Sequence, residues 1–311
     1  MKILITGGAK NGKSHIAQNL CCSLSSHGRR FYIATMLPTD SEDLKRIEKH
    51  VLDRAGLGFE TVECARNIHN AVIPAMQDVQ NCVLVDSLTA LLANEMFADG
   101  AYNNDACNKV SKELVSFVHT VKNAVFVSDG IYSDAIQYDS VTETFRSGLA
   151  FCEKVLAQEC DCVIEMVFGV PIVHKGTIDM HKIDNDNVQD VKDIKLIVGG
   201  AHQGKTLYVQ KKYSLNAEDV FVCKKDCPCD FSKKCISHIE NYVWYCLKNN
   251  LPLNSDFSAG TVVIADDIFC GVVPMDAFER KWREVCGTYL QTVAKRAEVT
   301  RIVCGIAKNL N

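Results

Sequence analysis

The sequence has no stretch long and apolar enough for a membrane and no surplus of positive charge. No apolar run approaches the roughly 18 residues that a spanning helix needs, so no membrane partner is expected. Lysine and arginine total 34 against 38 aspartate and glutamate, a formal net charge of −4. No basic stripe of the kind that follows a nucleic-acid backbone stands out, which argues against a nucleic-acid partner. Nothing at the start resembles a secretory leader, because Met1 runs straight into a strand-like segment. A cytoplasmic protein is expected, and there the sixteen cysteines should be reduced thiols, most of them serving as small apolar residues. What is present, 47% apolar and 23% charged residues over 311 positions, is the composition of a globular chain long enough for two domains.

The most informative stretch is the first fourteen residues, MKILITGGAKNGKS. A short apolar strand is followed by Gly7, Gly8, Ala9, Lys10, Asn11, Gly12, Lys13 and Ser14, which match G-x-x-x-x-G-K-[ST], and an amphipathic helix follows directly. In that context the backbone N–H groups of the turn point at a polyphosphate. Lys13 supplies charge to the β/γ-phosphates of ATP or GTP, and the Ser14 hydroxyl is placed to ligate Mg²⁺. The bland alternative is a glycine-rich strand-to-helix turn that binds nothing. The same string returns as LIVGGAHQGKT, with Gly199, Gly200, Gly204, Lys205 and Thr206 in corresponding places. A repeat this far apart is no solenoid period and reads as a duplicated domain.

Along the first copy, Ile16, Leu20 and Leu24 predict a helix over Lys13–His27, stopped by Gly28, and a strand follows at Phe31–Thr35. A second helix should start near Asp40, with Leu44, Ile47 and Val51 on one face and Arg46, His50 and Arg54 on another. Spacing alone fits a solvated charged face as well as a site. The strand Cys82–Asp86 ends on an aspartate, where a phosphate-loop protein holds its Mg²⁺ shell. Helices near Asp105–Thr120 and Thr142–Cys160 and strands at Ala124–Ser128 and Cys162–Val167 complete a domain over 1–176. A polar linker over 177–193 and a second domain over 194–311 follow, the latter ending in a strand RIVCGI. Within it, Cys223, Cys227, Cys229 and Cys235 could supply four thiolates to Zn²⁺ or remain reduced thiols, and their spacing is not that of paired knuckles.

GGAKNGKS, then YIAT, RIEKHVLDR and TVEC, with Asp86, Leu88, Thr89 and Asn94 further on, resemble the bifunctional adenosylcobinamide kinase and adenosylcobinamide-phosphate guanylyltransferase family of cobalamin (vitamin B12) synthesis. The resemblance implies that His50 carries a covalent GMP, with Arg46 and Arg54 beside its phosphate. It also implies that Thr35, Glu63 and Asp86 belong to the nucleotide site, with Ser14 and Asp86 on Mg²⁺. The small-molecule partner it implies is adenosylcobinamide, phosphorylated with ATP or GTP and then guanylylated from GTP. Ala55 stands where the family has proline, and DGIYSDAIQ at 129–137 stands where it has N-E-x-G-x-G-x-V-P.

The second copy keeps Gly271, Val273, Pro274, Arg280, Arg283 and Gly287 of the family pattern but has no counterpart of the histidine helix. The expectation is therefore a tandem of α/β P-loop NTPase-like domains, each a mainly parallel sheet flanked by helices, with a shortened second copy. The two copies should pack so that Asp266 to Arg283 complete a site begun by the first, as family sites form between subunits, and a homo-oligomer is possible on the same precedent. Two other readings stand beside the enzyme. One is a non-catalytic, regulatory nucleotide-binding protein derived from the family, and the other is a P-loop kinase of a different small hydroxyl substrate.

Overall fold

A computed structural model describes residues 1–25, 27–134, 136–179 and 192–311. Most of the expected linker, residues 180–191, lies outside the described residues. The chain divides into two compact units, the first made of Met1–Gly8, Gly12–Met166 and Pro171–Asp186, the second of Ala9–Asn11, Val167–Val170 and Asn187–Asn311.

The first unit alternates strand and helix. Its elements are β1 (Lys2–Thr6), α1 (Lys13–Leu24), β2 (Arg30–Ala34), α2 (Ser41–Asp53), β3 (Phe59–Glu63) and β4 (Cys82–Asp86). Then come α3 (Leu88–Met96), α4 (Ala106–Thr120), β5 (Ala124–Val127), α5 (Ser140–Glu159), β6 (Cys162–Val167) and β7 (Val170–Lys175). The seven strands lie in the order β3-β2-β4-β5-β1-β6-β7. The pairs from β3 to β6 are parallel. Parallel strands are buried on both faces, which is why β1, β4 and β5 read as unbroken apolar runs. One face carries Ile3, Ile5, Leu84, Val125 and Ile164 against Ile16, Ala17 and Leu20 of α1. The other is covered by α3, α4 and α5, as the edge-to-face contact of Phe117 on α4 with Phe126 on β5 marks, ring centres 6.0 Å apart.

The second unit contains β8 (Ile194–Gly199), α6 (Lys205–Tyr213), β9 (Val220–Val222), β10 (Cys235–Ser237), α7 (Ile239–Lys248), β11 (Val262–Asp266), α8 (Ala277–Lys295), β12 (Ala297–Val303) and β13 (Ile306–Asn309). Its sheet runs β13-β12-β8-β11-β10-β9, parallel except for β12 against β13. Helix α6 packs over Ile197, Val262, Ile264 and Ile302, while α7 and α8 lie on β11 and β12. The fold is thus two α/β units, each with a mainly parallel sheet and helices beside it.

Several boundaries differ from expectation. Helix α1 stops at Leu24 because Ser25 turns back on Cys21, its hydroxyl donating to the Cys21 carbonyl at 2.6 Å. Gly28 has a different role: a Cβ there would sit 1.9 Å from the Gln80 carbonyl oxygen, so the residue is required by backbone crowding. Strand β2 begins and ends one residue early, β5 stops at Val127, and α5 begins at Ser140, where Asp139 caps the Val141 and Thr142 N–H groups. RIVCGI is not one strand, since β12 ends at Val303 and β13 starts at Ile306. The largest departure is α2, in which no residue is buried. Leu44 is 51% and Val51 48% exposed, because α1 and the α3–α5 layer already cover the sheet.

Candidate nucleotide-binding and transfer site

The loop after β1 owes its shape to backbone proximity. Gly7 has a φ of 139°, and a Cβ on it would lie 2.5 Å from the Met166 carbonyl oxygen, so no other residue fits without displacing β6. Lys10 is left-handed (φ 57°), Asn11 is buried, and Gly12, also left-handed, opens α1. Ser14 is half-buried on the first turn of that helix. Four unpaired N–H groups at a helix start make this the positive end of a dipole.

Lys13 curls back into the loop. Its ammonium donates to the carbonyls of Gly7 (3.1 Å) and Gly8 (2.7 Å) and meets the Asp129 carboxylate at 2.7 Å, with only 6% of the side chain exposed. Asp129 follows β5, and the parallel pairing of β1 with β5 sets it opposite Gly7. Burial works against its charge, but the Lys13 ammonium, Thr89 and the more distant Arg46 prevail and hold its pKa below the ordinary aspartate value. The field of Arg46 thus reaches the phosphate loop from α2.

Behind this pair sits a second acid that sequence reasoning missed. Glu153 of α5 is 8% exposed and accepts from the Thr6 hydroxyl at 3.3 Å and from the Tyr132 hydroxyl. Burial pushes its pKa up, against the pull of the hydroxyls around it. Asp129 has a counterpart in the second unit, where Asp266 ends β11 opposite Gly199 just as Asp129 stands opposite Gly7, a likeness that strand register alone brings out. Glu153 gave no sign in the sequence, since one acid on an amphipathic helix reads as surface.

Of the residues expected on α2, Arg46 and His50 lie on the helix and Arg54 is its C-cap. Arg46 is exposed and 3.6 Å from Asp43, and His50 is half-buried. Arg54 lays its guanidinium 4.1 Å from the centre of the Tyr32 ring and donates to the Thr61 hydroxyl at 3.2 Å. Tyr32 in turn donates to Asp86 at 3.1 Å. A chain Arg54–Tyr32–Asp86 therefore runs from the end of the histidine helix to the end of β4.

Thr35 is fully buried and its hydroxyl is occupied, donating to the Ser87 carbonyl (2.8 Å) and accepting from the Ser87 N–H (2.7 Å). It clamps the ends of β2 and β4 together. Glu63 is exposed at the end of β3. The hydroxyl of Ser14 and the carboxylate of Asp86 are hard oxygen donors of the kind Mg²⁺ takes.

The second loop repeats the first. Gly199 (φ 157°) would place a Cβ 2.4 Å from the Ile302 carbonyl oxygen, and Gly204 is left-handed at the start of α6. Lys205 donates to the carbonyls of Gly199 (3.0 Å) and Gly200 (2.6 Å) and pairs with Asp266 at 2.6 Å. Gly200 and Thr206 are exposed. The four cysteines expected as a possible zinc set do not converge among the described residues. Cys223 and Cys229 have sulfurs 3.7 Å apart, but Cys235 points into the core under α6, and the four form no group within ligand range.

Residues 3–173, more than half of the chain, match the family described as cobinamide kinase / cobinamide phosphate guanyltransferase. The chain belongs to this family. Two relatives bear on it. The bifunctional adenosylcobalamin biosynthesis protein CobP of Pseudomonas aeruginosa is 26% identical over 176 residues, 57% of this chain and 98% of that protein. The bifunctional adenosylcobalamin biosynthesis protein CobU of Salmonella typhimurium is 34% identical over 104 residues, 33% of this chain and 55% of that one. A KaiC-like protein from Pyrococcus horikoshii, 11% identical with a TM-score of 0.35, covers 56% of this chain and 78% of its own, too loosely to bear on function. Membership in the cobinamide kinase / guanyltransferase family places the first unit among transferases of cobalamin biosynthesis with a P-loop fold. The family match stops at residue 173 and leaves residues 187–311 of the second unit uncovered. No helix among the described residues is long and apolar enough to cross a membrane.

Proposed function

We propose that the first unit phosphorylates the aminopropanol hydroxyl of adenosylcobinamide from ATP or GTP and then moves GMP from GTP to the new phosphate through His50. The observation that carries this reading is the conjunction, within the family match, of the lysine-bearing loop with a helix and C-cap that carry Arg46, His50 and Arg54 at four-residue spacing. In the first reaction, Lys13 and the loop N–H groups hold the triphosphate and balance charge on the transferring phosphoryl group. In the second, an imidazole nitrogen of His50 attacks the α-phosphorus of GTP. The bond to the bridging oxygen breaks and pyrophosphate leaves with the electron pair. A phosphate oxygen of the corrinoid then attacks the same phosphorus and releases the imidazole. Arg46 and Arg54 neutralise the phosphate oxygens in both halves. Ser14 and Asp86 would be the oxygen donors to Mg²⁺, which would supply charge neutralisation to the triphosphate.

The matching loops, with Gly7 and Gly199 against neighbouring-strand carbonyls and each lysine on an aspartate, support reading the second unit, from residue 194, as a shortened relative of the first. The segment 129–137, which replaces the family's glutamate and proline, favours the rival readings of a kinase for another hydroxyl substrate or a silent nucleotide-binding protein. The experiment that separates them is incubation with GTP labelled at the α-phosphate. An acid-labile, base-stable adduct on the protein is expected, and His50→Ala should abolish it while leaving nucleotide binding intact. Label that persists in the variant, or never forms on the wild type, would remove the guanylyl-transfer half of the proposal.

A further inference from the structure

The carboxyl ends of β8, β10 and β11 bring together more than a phosphate loop. Asp266 ends β11 and pairs with Lys205 at 2.6 Å, His238 follows β10, and Glu240 lies on the first turn of α7. The His238 Nδ1 lies 2.9 Å from Glu240 Oε1 and 3.6 Å from Asp266 Oδ2, and one donor atom from each residue falls within 4.8 Å of the others. Among the described residues this is the one set of three histidine, cysteine or acidic side chains so placed.

The spacing is that of ligands around one ion. Bonds of about 2.1 Å at 90–109° put neighbouring donor atoms roughly 3.0–3.4 Å apart, and the two measured edges bracket that range. Burial points the same way. Glu240 is only 3% exposed, and its Oε1 meets the His238 ring nitrogen at 2.9 Å, a contact that a cation held between the two would replace. Its Oε2 accepts the Asp266 N–H at 3.1 Å, which leaves Oε1 facing His238. His238 also faces open space, a groove of about 580 Å³ whose wall includes Lys224, Lys225, Asp226 and Asn241.

We propose that the second unit holds a divalent cation on His238 Nδ1, Glu240 and Asp266, and that the cation, with Lys205 and the 199–206 loop, binds a phosphorylated small molecule. An imidazole nitrogen among the ligands selects a first-row transition ion such as Mn²⁺ or Zn²⁺ over Mg²⁺. This cation site is separate from the oxygen-only pair Ser14 and Asp86 in the first unit. It stands whether or not His50 carries GMP.

The test uses the full chain, freed of metal by chelation, and Mn²⁺ followed by electron paramagnetic resonance. Binding should show ¹⁴N modulation from a coordinated imidazole, and adding inorganic tripolyphosphate should add a ³¹P coupling to the same centre. His238→Asn suits the left-handed backbone at this position (φ 56°). It should remove the ¹⁴N signal and weaken Mn²⁺ by at least about tenfold, since loss of even an outer partner of a metal ligand costs 10–100-fold. Asp266→Asn should weaken Mn²⁺ by a similar factor. Absence of ¹⁴N modulation in the wild type would overturn the cation site, as would a signal unchanged in His238→Asn. A ¹⁴N-bearing centre that never couples to ³¹P would overturn the phosphate half. Loss of the GMP adduct in His50→Ala moves none of these signals.

Discussion

Asp129→Asn tests the account of the phosphate loop most directly. Lys13 is nearly buried and already paired at 2.7 Å, so a triphosphate meets a lysine whose charge is spoken for. A phosphate oxygen bound to its ammonium at about 3 Å would lie roughly 5–6 Å from the Asp129 carboxylate. At an effective dielectric of about 20, two like charges at that separation repel by roughly 3 kcal/mol. Asp129 is 31% exposed, and screening by solvent brings this to about 1–2 kcal/mol. The amide should therefore bind Mg·GTP about tenfold more tightly by calorimetry. The same change removes a charge-assisted hydrogen bond worth about 1.5–3 kcal/mol, offset in part because Lys13 keeps the Gly7 and Gly8 carbonyls, so the unliganded protein should melt lower. The pH dependence has a definite sign. A carboxyl whose folded pKa is depressed adds stability above the ordinary aspartate value of about 3.9 and loses it as pH falls through the lower folded value. The variant should lack that acid-side loss. A folded Asp129→Asn protein with equal or weaker GTP affinity would refute the reasoning and make Asp129 a contributor to the nucleotide's cation shell.

Glu153→Gln should act in the opposite pH direction: the raised pKa of Glu153 means its stability is full below the ordinary glutamate value and lost as pH rises, so wild type should fall behind the variant in melts toward alkaline pH. Gly7→Ala meets the Met166 carbonyl at 2.5 Å on a backbone with φ 139° and should lose at least about 2 kcal/mol in denaturant unfolding; a neutral result would mean β6 yields easily. Lys13→Ala should weaken Mg·GTP by roughly 10–100-fold, the worth of one charge-assisted contact, and calorimetry showing unchanged affinity would place the main nucleotide site elsewhere.

The alternation of apolar runs with helical periodicity made the two α/β units legible before any coordinates, because a buried parallel strand and a one-sided helix leave different patterns. The loop also read well, because the spacing of Gly7, Gly12, Lys13 and Ser14 between a strand and a helix is a local pattern. What did not read was anything requiring partners distant in sequence. Asp129 acquires meaning only from strand register with Gly7, and Glu153 only from hydroxyls on β1 and the loop after β5. Leu44 and Val51 have the spacing of a buried face, yet periodicity states which side of a helix is apolar and not whether anything covers it. The cysteines left zinc and reduced thiols both open, and spacing in sequence did not say that Cys235 would be the one to turn into the core. His238 and Glu240 carried no motif at all, and strand ends from three segments had to meet before they stood together.

The absence of buried side chains on α2 bears on how that helix unfolds. Elements that bury apolar surface can expose their amides only when much of the domain opens, so their exchange with solvent follows global stability. Helix α2 has no such tie. Its amides exchange through a private opening whose free energy is set by the Asp40 cap, the helix's own hydrogen bonds and the Arg54–Tyr32 contact. Substitutions that strengthen the core beneath the sheet should leave that opening untouched. Hydrogen exchange should therefore separate the amides of the helix bearing His50 from those of the strands beneath it.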